Sequence, residues 1–268
     1  EFDLAISWAG KEGWNPGLND GNCFYVADSN GFFCGKLKGK IIAVASAVIY
    51  DEQFAFCGFY MVNKKYRGQG YGLALTKARL AYVGQRNVGI DGVVNMLEKY
   101  ERLGYKIAHY NARFEFCGAI KPSSSPYLIP AQTVDFELLS HYDRQHFPAY
   151  RNAFLQCWIH QPKTKSIVYY LDGAIKGFGV IRTCLRGFKI GPLFADTAEF
   201  AELIFNNLAQ HINGQVLFLD IPMHHQDALA LVQQYKMNKV FETARMYLKS
   251  EPQINLRQIY GITSFELG

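Results

Sequence analysis

Residues 61–73 have the sequence MVNKKYRGQGYGL, in which a strand-like apolar end runs into a glycine-rich turn and the start of a helix. Three alternate glycines, Gly68, Gly70 and Gly72, leave the backbone N–H groups of the turn uncovered. The positive end of the helix dipole lies beside them. Such a turn is typical of a site that binds a pyrophosphate.

The spacing of the glycines separates this turn from three other phosphate-binding loops. The dinucleotide fingerprint G-x-G-x-x-G requires a glycine at position 73, where the chain has Leu73. The P-loop requires Gly-Lys-Ser/Thr after four intervening residues, and that sequence is absent from the turn. A kinase glycine loop lies between two strands, whereas this turn precedes a helix. The remaining pattern is R-x-x-G-x-G.

The R-x-x-G-x-G pattern of residues 67–72 resembles the GNAT superfamily of acyl-CoA-dependent N-acyltransferases. The strand before the turn, the helix after it and the later segment YERLGY, residues 100–105, follow in the family's order. The openings WA at 8–9 and EGWNPG at 12–17 are similar to a group of GNAT proteins with a second GNAT-like domain. The resemblance implies an α+β fold of tandem GNAT-like domains, each a mixed, mostly antiparallel sheet flanked by helices.

The resemblance also implies the residues of a cofactor site, with acetyl-CoA as cosubstrate. Met61 and Val62 would offer backbone groups to the pantetheine, and a backbone N–H near Val62 would meet the oxyanion. The pyrophosphate would be held by Arg67, Gly68, Gln69, Gly70, Tyr71 and Gly72. Tyr100 takes the place of the family's catalytic tyrosine, since a phenol with a pKa of about 10 can protonate a thiolate beside it.

One departure from the family pattern lies seven residues before Tyr100. Many members carry an asparagine there that binds the cofactor, whereas this chain has Val93, and Asn95 does not restore the spacing. The departure leaves two interpretations of Tyr100 open, a catalytic acid and a packed aromatic.

The general base is left open by the sequence. Asp51 and Glu52 lie at a hairpin close to the strand that leads into the turn, and His224 and His225 follow a strand of the second half. A water chain is the further alternative. No third ligand accompanies the histidines at metal spacing, so we expect no metal. Residues 14–17, WNPG, form a turn that borders the acceptor in this fold, although turn formation alone explains them.

The first half alternates strand-like and helix-like stretches, as hydrophobic periodicity and turn residues indicate. The predicted elements are a short start at 2–6, a helix near Trp8, apolar runs at 23–27 and 41–50, a strand at 54–62, helices at about 70–84 and 92–103, and closing strands at 105–109 and 112–120.

A proline- and serine-rich segment, residues 121–130, is predicted to join an N-terminal domain of residues 1–120 to a C-terminal domain of residues 131–268. Beyond it we expect strands at 134–138, 167–171, 174–182, 187–194, 216–221 and 239–248, and helical stretches at 141–158, 197–212 and 226–235. The shared order at a spacing of about 130 residues favours a tandem repeat over two unrelated mixed domains.

The corresponding turn of the second half, residues 189–197, has the sequence KIGPLFADT. It lacks the alternate glycines, and Pro192 removes an N–H donor. We therefore expect one cofactor site per chain, with the second domain either forming a wall of the acceptor groove or stabilising the first domain.

Composition bounds the class of protein. The net charge of +5 is not gathered into a basic run, so nothing points to nucleic acid. No apolar run is long enough to span a bilayer, and the first residues lack a signal-peptide pattern. We expect a cytoplasmic enzyme that binds neither nucleic acid nor membrane, with its oligomeric state open.

Six scattered cysteines without a C-x-x-C pair predict reduced, mostly buried thiols.

The sequence therefore predicts an N-acetyltransferase that moves an acetyl group from acetyl-CoA to a primary amine of a small molecule or protein. The reaction would be direct attack in a ternary complex. The alternative is a non-catalytic acyl-CoA-binding or protein-interaction module, which the lack of an evident base favours. The amine acceptor and the acyl length stay open.

Overall fold

A computed structural model describes residues 2–120, 122–212 and 214–268 of the chain. Lys121, the first residue of the predicted joint, lies outside the described residues. Within these ranges twelve strands form one sheet, and apolar clusters with helices cover both of its faces. No helix in this part of the chain has the length and apolar character needed to cross a membrane. The α+β arrangement is confirmed, with the sheets of the two halves joined into one.

Groups of helices and strands alternate along the chain. The helices are α1 (Phe2–Lys11), α2 (Asp20–Ala27), α3 (Tyr71–Val83), α4 (Leu97–Glu101), α5 (Phe136–Arg144), α6 (Asn152–Ile159), α7 (Ala198–Gln210) and α8 (Gln226–Gln234). The strands are β1 (Phe32–Leu37), β2 (Lys40–Ile49), β3 (Phe54–Val62), β4 (Asn87–Val93), β5 (Lys106–Phe116), β6 (Leu128–Pro130), β7 (Thr164–Leu171), β8 (Ala174–Thr183), β9 (Phe188–Ala195), β10 (Leu217–Pro222), β11 (Asn238–Tyr247) and β12 (Ile259–Gly261).

A long strand of each half is exchanged into the sheet of the other half. The strand order is β1-β2-β3-β4-β11-β5-β10-β9-β8-β7-β6, with β12 beside β9. β11 therefore lies between β4 and β5, and β5 lies between β11 and β10, with antiparallel pairing throughout. The exchange places residues of the second half directly beside the strands of the first.

Each seam of this exchange carries a buried arginine–aspartate pair between directly opposed residues. Arg113 of β5 faces Asp220 of β10, with nitrogen–oxygen distances of 2.6 and 2.7 Å. Arg245 of β11 faces Asp91 of β4 at 3.0 and 2.8 Å. All four side chains are buried. Equivalent members of the two pairs are about 130 residues apart, which is the spacing predicted for the repeat.

Each half also contains one parallel strand pair that opens into a wedge. β3 pairs with β4 only from Phe54 to Phe56, and β9 pairs with β10 only from Phe188 to Ile190. Beyond these residues the strands diverge. In the second half β12 pairs with β9, and the N–H of Ile262 donates to the carbonyl oxygen of Asp220. The chain itself thus fills the second wedge, whereas the first contains a cavity.

The core under α1 and α2 is built from aromatic rings of both halves. Phe24 of α2 stacks on Phe154 and Trp158 of α6, with ring centroids 6.4 and 6.0 Å apart. A disulfide joins the same two helices through Cys23 and Cys157. The expectation of reduced thiols is wrong for this pair, because only the tertiary fold brings the two cysteines together.

Three segments of the first half differ from the sequence prediction. The apolar run at 23–27 belongs to α2, since a short apolar run fits a helix or a strand equally well. The helix predicted at 92–103 is wrong at its start, because Gly92 lies in β4 and the helical residues are a 3₁₀ turn at Val94–Met96 followed by α4. Gly92 leaves room for Tyr100, whose ring lies 2.9 Å from the place of a Cβ. The two closing strands form one strand, β5, in which Asn111 is buried and donates to Asp91.

Two segments of the second half also differ. The strand predicted at 134–138 is wrong, because Asp135 caps α5 by accepting a hydrogen bond from the N–H of Glu137 at 2.8 Å. The helical stretch at 141–158 is divided into α5 and α6, and Pro148 between them cannot donate a helical bond. The other predicted elements of this half are confirmed. The joint at 121–130 stays a prediction, and β6 lies at its end.

Removing one member of a seam pair should strongly destabilise the protein. Asp220→Ala leaves the guanidinium of Arg113 buried without its partner, and we expect the free energy of unfolding to fall by about 3–5 kcal/mol. The control is Glu98→Ala, whose partner Arg102 and own side chain are 78% and 86% exposed. We expect less than about 1 kcal/mol for the control. Urea denaturation measures both, and equal shifts would contradict the assignment.

Candidate active site

Each glycine of the turn between β3 and α3 is required for a structural reason of its own. Gly68 and Gly70 have φ angles of 78° and 87°, a region in which residues with a Cβ are strained. Gly70 is also the N-cap residue of α3. Gly72 lies against β3, where a Cβ would collide with the hydroxyl of Tyr60. The sequence therefore needs glycine at all three positions to bring this backbone against the strand.

The turn presents uncovered N–H groups. Those of residues 68–70 have no hydrogen-bond acceptor within the described part of the chain. Those of Tyr71 and Gly72 belong to the first turn of α3, where no intrahelical acceptor exists. Lys64 and Lys65 are exposed beside the turn. The 13-residue helix α3 adds the positive end of its dipole, so the turn can hold a diphosphate.

Arg67 anchors the turn to the neighbouring elements. Its Nε donates to the carbonyl oxygen of Val62 at 2.8 Å, and its Nη2 forms an ion pair with Glu12 at 2.6 Å. Gln69 Nε2 donates to the carbonyl oxygen of Lys65 at 3.1 Å. These side chains therefore hold the shape of the turn, while the N–H groups face outward. Val62 lies with Met61 at the end of β3, where both line a cavity beside the turn.

A bulge in β3 opens the wedge beside β4. The register between β2 and β3 shifts between Val44 and Ser46, and Phe59 has a φ of 47°. Arg79 of α3 is buried there, with Nη1 3.4 and 3.5 Å from the carbonyl oxygens of Ser46 and Gly58. The guanidinium thus donates hydrogen bonds to backbone carbonyl oxygens at the bulge. Bulges of this kind commonly redirect strands beside active sites.

Two adjoining cavities connect the turn with the wedge. The cavity within the wedge has a volume of about 50 Å³ and is lined by both strands and by Arg79. The wider cavity, about 490 Å³, is lined by Met61 and Arg67 at the turn. Trp14, Val93 and Phe241 form walls of both. A ligand held at the turn can therefore extend into the wedge. Val93 lies on that path, at the position where many family members have asparagine.

Tyr100 lies at one side of the wedge. Its ring packs against Gly92 and is 6.2 Å, centroid to centroid, from Tyr105. Burial raises the pKa of Tyr100, and nearby Arg79 opposes this only in part. The phenol therefore keeps its proton at physiological pH and is available as a donor. Tyr100 lines the wedge cavity, whereas Met61 and Arg67 line the adjoining cavity that shares three walls with it.

The second half supplies the opposite side of the wedge. Phe241 and Thr243 of β11 line the same cavity as Tyr100, and so do Phe265 and Glu266 from the segment after β12. Sequence reasoning missed these residues because the exchanged strand β11 and the segment after β12 bring them in from the other half. No specific signal pointed to them, because the dipeptide AR occurs in the two exchanged strands, at 112–113 and 244–245, but also at 78–79 in α3. Trp14, from the predicted turn at 14–17, also lines the cavity.

The two acidic base candidates lie away from the wedge. Asp51 and Glu52 precede β3, at the end opposite the glycine turn, and a nine-residue strand separates the two ends by about 25–30 Å. Asp51 Oδ1 accepts hydrogen bonds from the N–H groups of Gln53 and Phe54. Its role is to shape the hairpin, and the structure does not bring it to the site.

The two histidine candidates lie near β12, outside the first wedge. His225 is buried, with Nδ1 3.0 Å from the carbonyl oxygen of Ile259. His224 packs on His109, with ring centroids 4.7 Å apart, and burial lowers its pKa. Neither lines the wedge or the adjoining cavity. No group of three or more His, Cys, Asp or Glu in the described ranges is arranged to hold a metal ion.

The second wedge differs from the first in two ways: the gap between its strands is filled, and a proline lies in its first strand. β12 occupies the gap between β9 and β10, where a pantetheine would have to lie. Pro192 lies in β9, and the carbonyl oxygen of Gly191 accepts a hydrogen bond from Trp158 Nε1 at 3.0 Å. These features support the expectation of one cofactor site per chain.

Two family models match the chain, one in each half. Residues 5–105 match the model described as Acetyltransferase (GNAT) family, and residues 139–261 match the model described as Acetyltransferase (GNAT) domain. The holothin acyltransferase of Pseudoalteromonas sp. (strain SANK 73390) is 28% identical over 270 residues, covering 100% of this chain and 92% of the relative. The uncharacterized N-acetyltransferase YitH of Bacillus subtilis (strain 168) is 22% identical, covering 97% and 92%.

Solved structures share the fold. A putative acetyltransferase from Pyrococcus horikoshii superposes with a TM-score of 0.81 at 21% identity, covering 92% of this chain and 83% of that one. A tandem GNAT protein from the clavulanic acid biosynthesis pathway superposes with a TM-score of 0.62 at 10% identity, covering 92% of both chains. The repeat of one fold within the chain therefore agrees with these structures.

A side chain at Gly70 should block the cofactor. In Gly70→Val the Cβ meets no protein atom but stands among the N–H groups that would face the phosphates, so we expect CoA affinity to fall at least about tenfold. Gly173→Val is the matched control, because Gly173 has a φ of 78°, no neighbour within 4 Å, and a place in the hairpin between β7 and β8 of the second half. Calorimetry with CoA should give one equivalent for the unaltered chain and for the control. Undiminished affinity in Gly70→Val would contradict the assignment of the turn.

Proposed function

The chain is a tandem GNAT acyltransferase, and we propose that its first half transfers an acetyl group from acetyl-CoA to the primary amine of a small molecule by direct attack in a ternary complex. The observation that carries this proposal is that Tyr100 lines the wedge cavity, which shares three walls with a second cavity that reaches Arg67 at the glycine turn. The pyrophosphate would lie at the turn and the thioester in the wedge. Acyl transfer is also the reaction named for the full-length relative that acts on holothin.

The size of the wedge supports a short acyl group. Its cavity of about 50 Å³ is closed on one side by Cys57, Ile90 and Arg79. An acetyl group adds one methyl beyond the carbonyl carbon, whereas each further methylene needs additional room among these buried side chains.

The walls of the acceptor side support a small cationic amine. Trp14, Phe241 and Phe265 present aromatic surfaces there, and Glu266 contributes a carboxyl group. Aromatic faces and carboxylates both attract an ammonium group. Because β11 and the segment after β12 enclose this side, the site fits a small molecule better than an amine on a folded protein.

The chemistry follows from the position of the thioester. The amine nitrogen would attack the thioester carbonyl carbon, and a backbone N–H near Val62 would stabilise the oxyanion. When the carbon–sulfur bond breaks, its electron pair stays on sulfur, and Tyr100 would donate a proton to that sulfur. Its raised pKa keeps the phenol protonated until this step.

The proposed function is tested by the transfer of label from acetyl-CoA. Radiolabelled acetyl-CoA is incubated with the protein, a panel of small primary amines and a lysine-containing peptide. We expect labelled amide and free CoA thiol in equal amounts with at least one small amine. Binding of CoA without turnover on any amine would instead support the non-catalytic alternative and reject this proposal.

Loss of the Tyr100 hydroxyl should slow the chemical step. We expect Tyr100→Phe to lower kcat by about 100-fold or more while CoA affinity stays the same, because a positioned general acid typically contributes that much. The control is Tyr82→Phe, since the Tyr82 hydroxyl donates to Asp28 at 2.9 Å and is outside the wedge. Steady-state kinetics measure the effect, and equal rates in the two variants would show that Tyr100 only packs.

A further inference from the structure

Glu266 lines the wedge and is held there by the segment that follows β12. The N–H of Ile262 donates to the carbonyl oxygen of Asp220, and the hydroxyl of Tyr50 donates to the carbonyl oxygen of Leu267 at 2.9 Å. Between these anchors, a Cβ on Gly58 of β3 would collide with the carbonyl oxygen of Glu266. The segment is therefore fixed at both ends and packed against the bulged strand.

Among the residues that the structure describes, four carboxyl groups line the wedge and the adjoining cavity, and Glu266 differs from the other three. The three that are paired with a cation are Asp91 with Arg245, Glu12 with Arg67, and Glu242 with Lys239. Glu266 is 3% exposed, and its Oε2 has no hydrogen-bond partner in the part of the chain that the structure describes. A buried carboxylate oxygen without a partner costs free energy, so its place in the cavity calls for a ligand that can bind it.

Charged groups from four elements face Glu266. They are Lys189 of β9, Arg113 of β5, Asp20 of α2 and Arg182 of β8, and Asp91 and Tyr100 line the same cavity. Both arginines already have ion-pair partners, because Arg113 is paired with Asp220 and Arg182 with Asp20. Burial raises the pKa of Glu266, and Lys189 and Arg113 oppose this only in part. A carboxylate with a raised pKa accepts protons more readily than an exposed one.

We propose that Glu266 is the general base of the reaction and accepts a proton from the ammonium group of the acceptor amine in the wedge. This inference rests on the proposed function. It goes further by assigning the proton acceptor to a residue of the second half, to which no sequence pattern points.

The proton balance closes with two side chains. Glu266 takes one proton from the ammonium group, and the freed nitrogen lone pair forms the bond to the thioester carbonyl carbon. The carbon–sulfur bond breaks, and the sulfur receives the phenolic proton of Tyr100. The nitrogen gives its second proton to the phenolate through water, which leaves a neutral amide. Glu266 then releases its proton to solvent, so the products are the amide, CoA thiol and one proton.

The test is Glu266→Gln in the full chain, compared with Glu98→Gln, an exposed glutamate on the helix that carries Tyr100. We expect kcat/KM for the amine to fall about 100-fold or more in Glu266→Gln, with CoA affinity unchanged. We expect no change in the control. In Glu266→Ala, added formate should restore part of the rate, because it can occupy the space and accept the proton.

The pH profile separates a base from a structural role. A base must be ionised, so kcat/KM of the unaltered chain should fall as pH drops through a pKa above the ordinary value of glutamic acid, and this limb should vanish in Glu266→Gln. The acceptor should be an amine that stays protonated from about pH 5 to 8, so that the inflection reports the enzyme. Persistence of the limb, turnover within about threefold of the unaltered chain, or a parallel loss of CoA affinity would overturn the inference. If the unaltered chain acetylates no amine, the proposed function fails first.

Discussion

Two buried arginine–aspartate pairs at the seams of the strand exchange determine what surrounds the wedge. Arg113 faces Asp220, and Arg245 faces Asp91, each in direct register. A slip of one residue along either seam would separate a buried pair and leave its charges uncompensated, which is far costlier than a slip between exposed strands. The Arg245–Asp91 pair therefore holds β11 against β4, the Arg113–Asp220 pair holds β5 against β10, and β11 carries Phe241 into the cavity.

One repeat serves two purposes in this chain. A parallel strand pair diverges in each half, but only the first gap continues into a glycine turn. In the second half β12 fills the gap, and that filling anchors the residues that follow it. Phe265 and Glu266 reach the first half from this anchor. The half without a glycine turn thus forms walls of the other half's cavity.

The sequence was informative wherever function depends on consecutive residues. The turn at 67–72, the helix after it and Tyr100 could be located because glycine conformation, helix dipole and family order are all local properties. The fold class followed from the family resemblance that these local motifs carry. The strand β4 was not predicted, because Gly89 and Gly92 lack the side chains typical of strands. The rings of Phe56 and Tyr100 lie where the Cβ atoms of these two residues would be.

Contacts between the halves could not be predicted in the same way. Asp51 is close to the turn in sequence but lies at the far end of β3, since an extended strand carries its two ends apart. Cys23 and Cys157 are 134 residues apart, yet they are bonded. Phe241 reaches the cavity through the exchanged strand β11, and Glu266 reaches it through the segment after β12; both depend on pairing choices among the twelve described strands.

The wedge also explains how an acid and a base can act on one thioester without neutralising each other. Tyr100 packs with Cys57 and Ile90 in the cluster under α3, whereas Phe265, next to Glu266, packs with Met61 in the cluster under α1 and α2. Val48 and Ala47 are successive residues of β2 and belong to the cluster under α1 and α2 and to the cluster under α3, respectively, so the two clusters lie on opposite faces of the sheet. Tyr100 and Glu266 both line the cavity of the wedge. A thioester in the gap would meet the phenol on its sulfur side and the amine on the other. Strand divergence is therefore needed for the chemistry as well as for binding, because an intact sheet would separate the two groups completely.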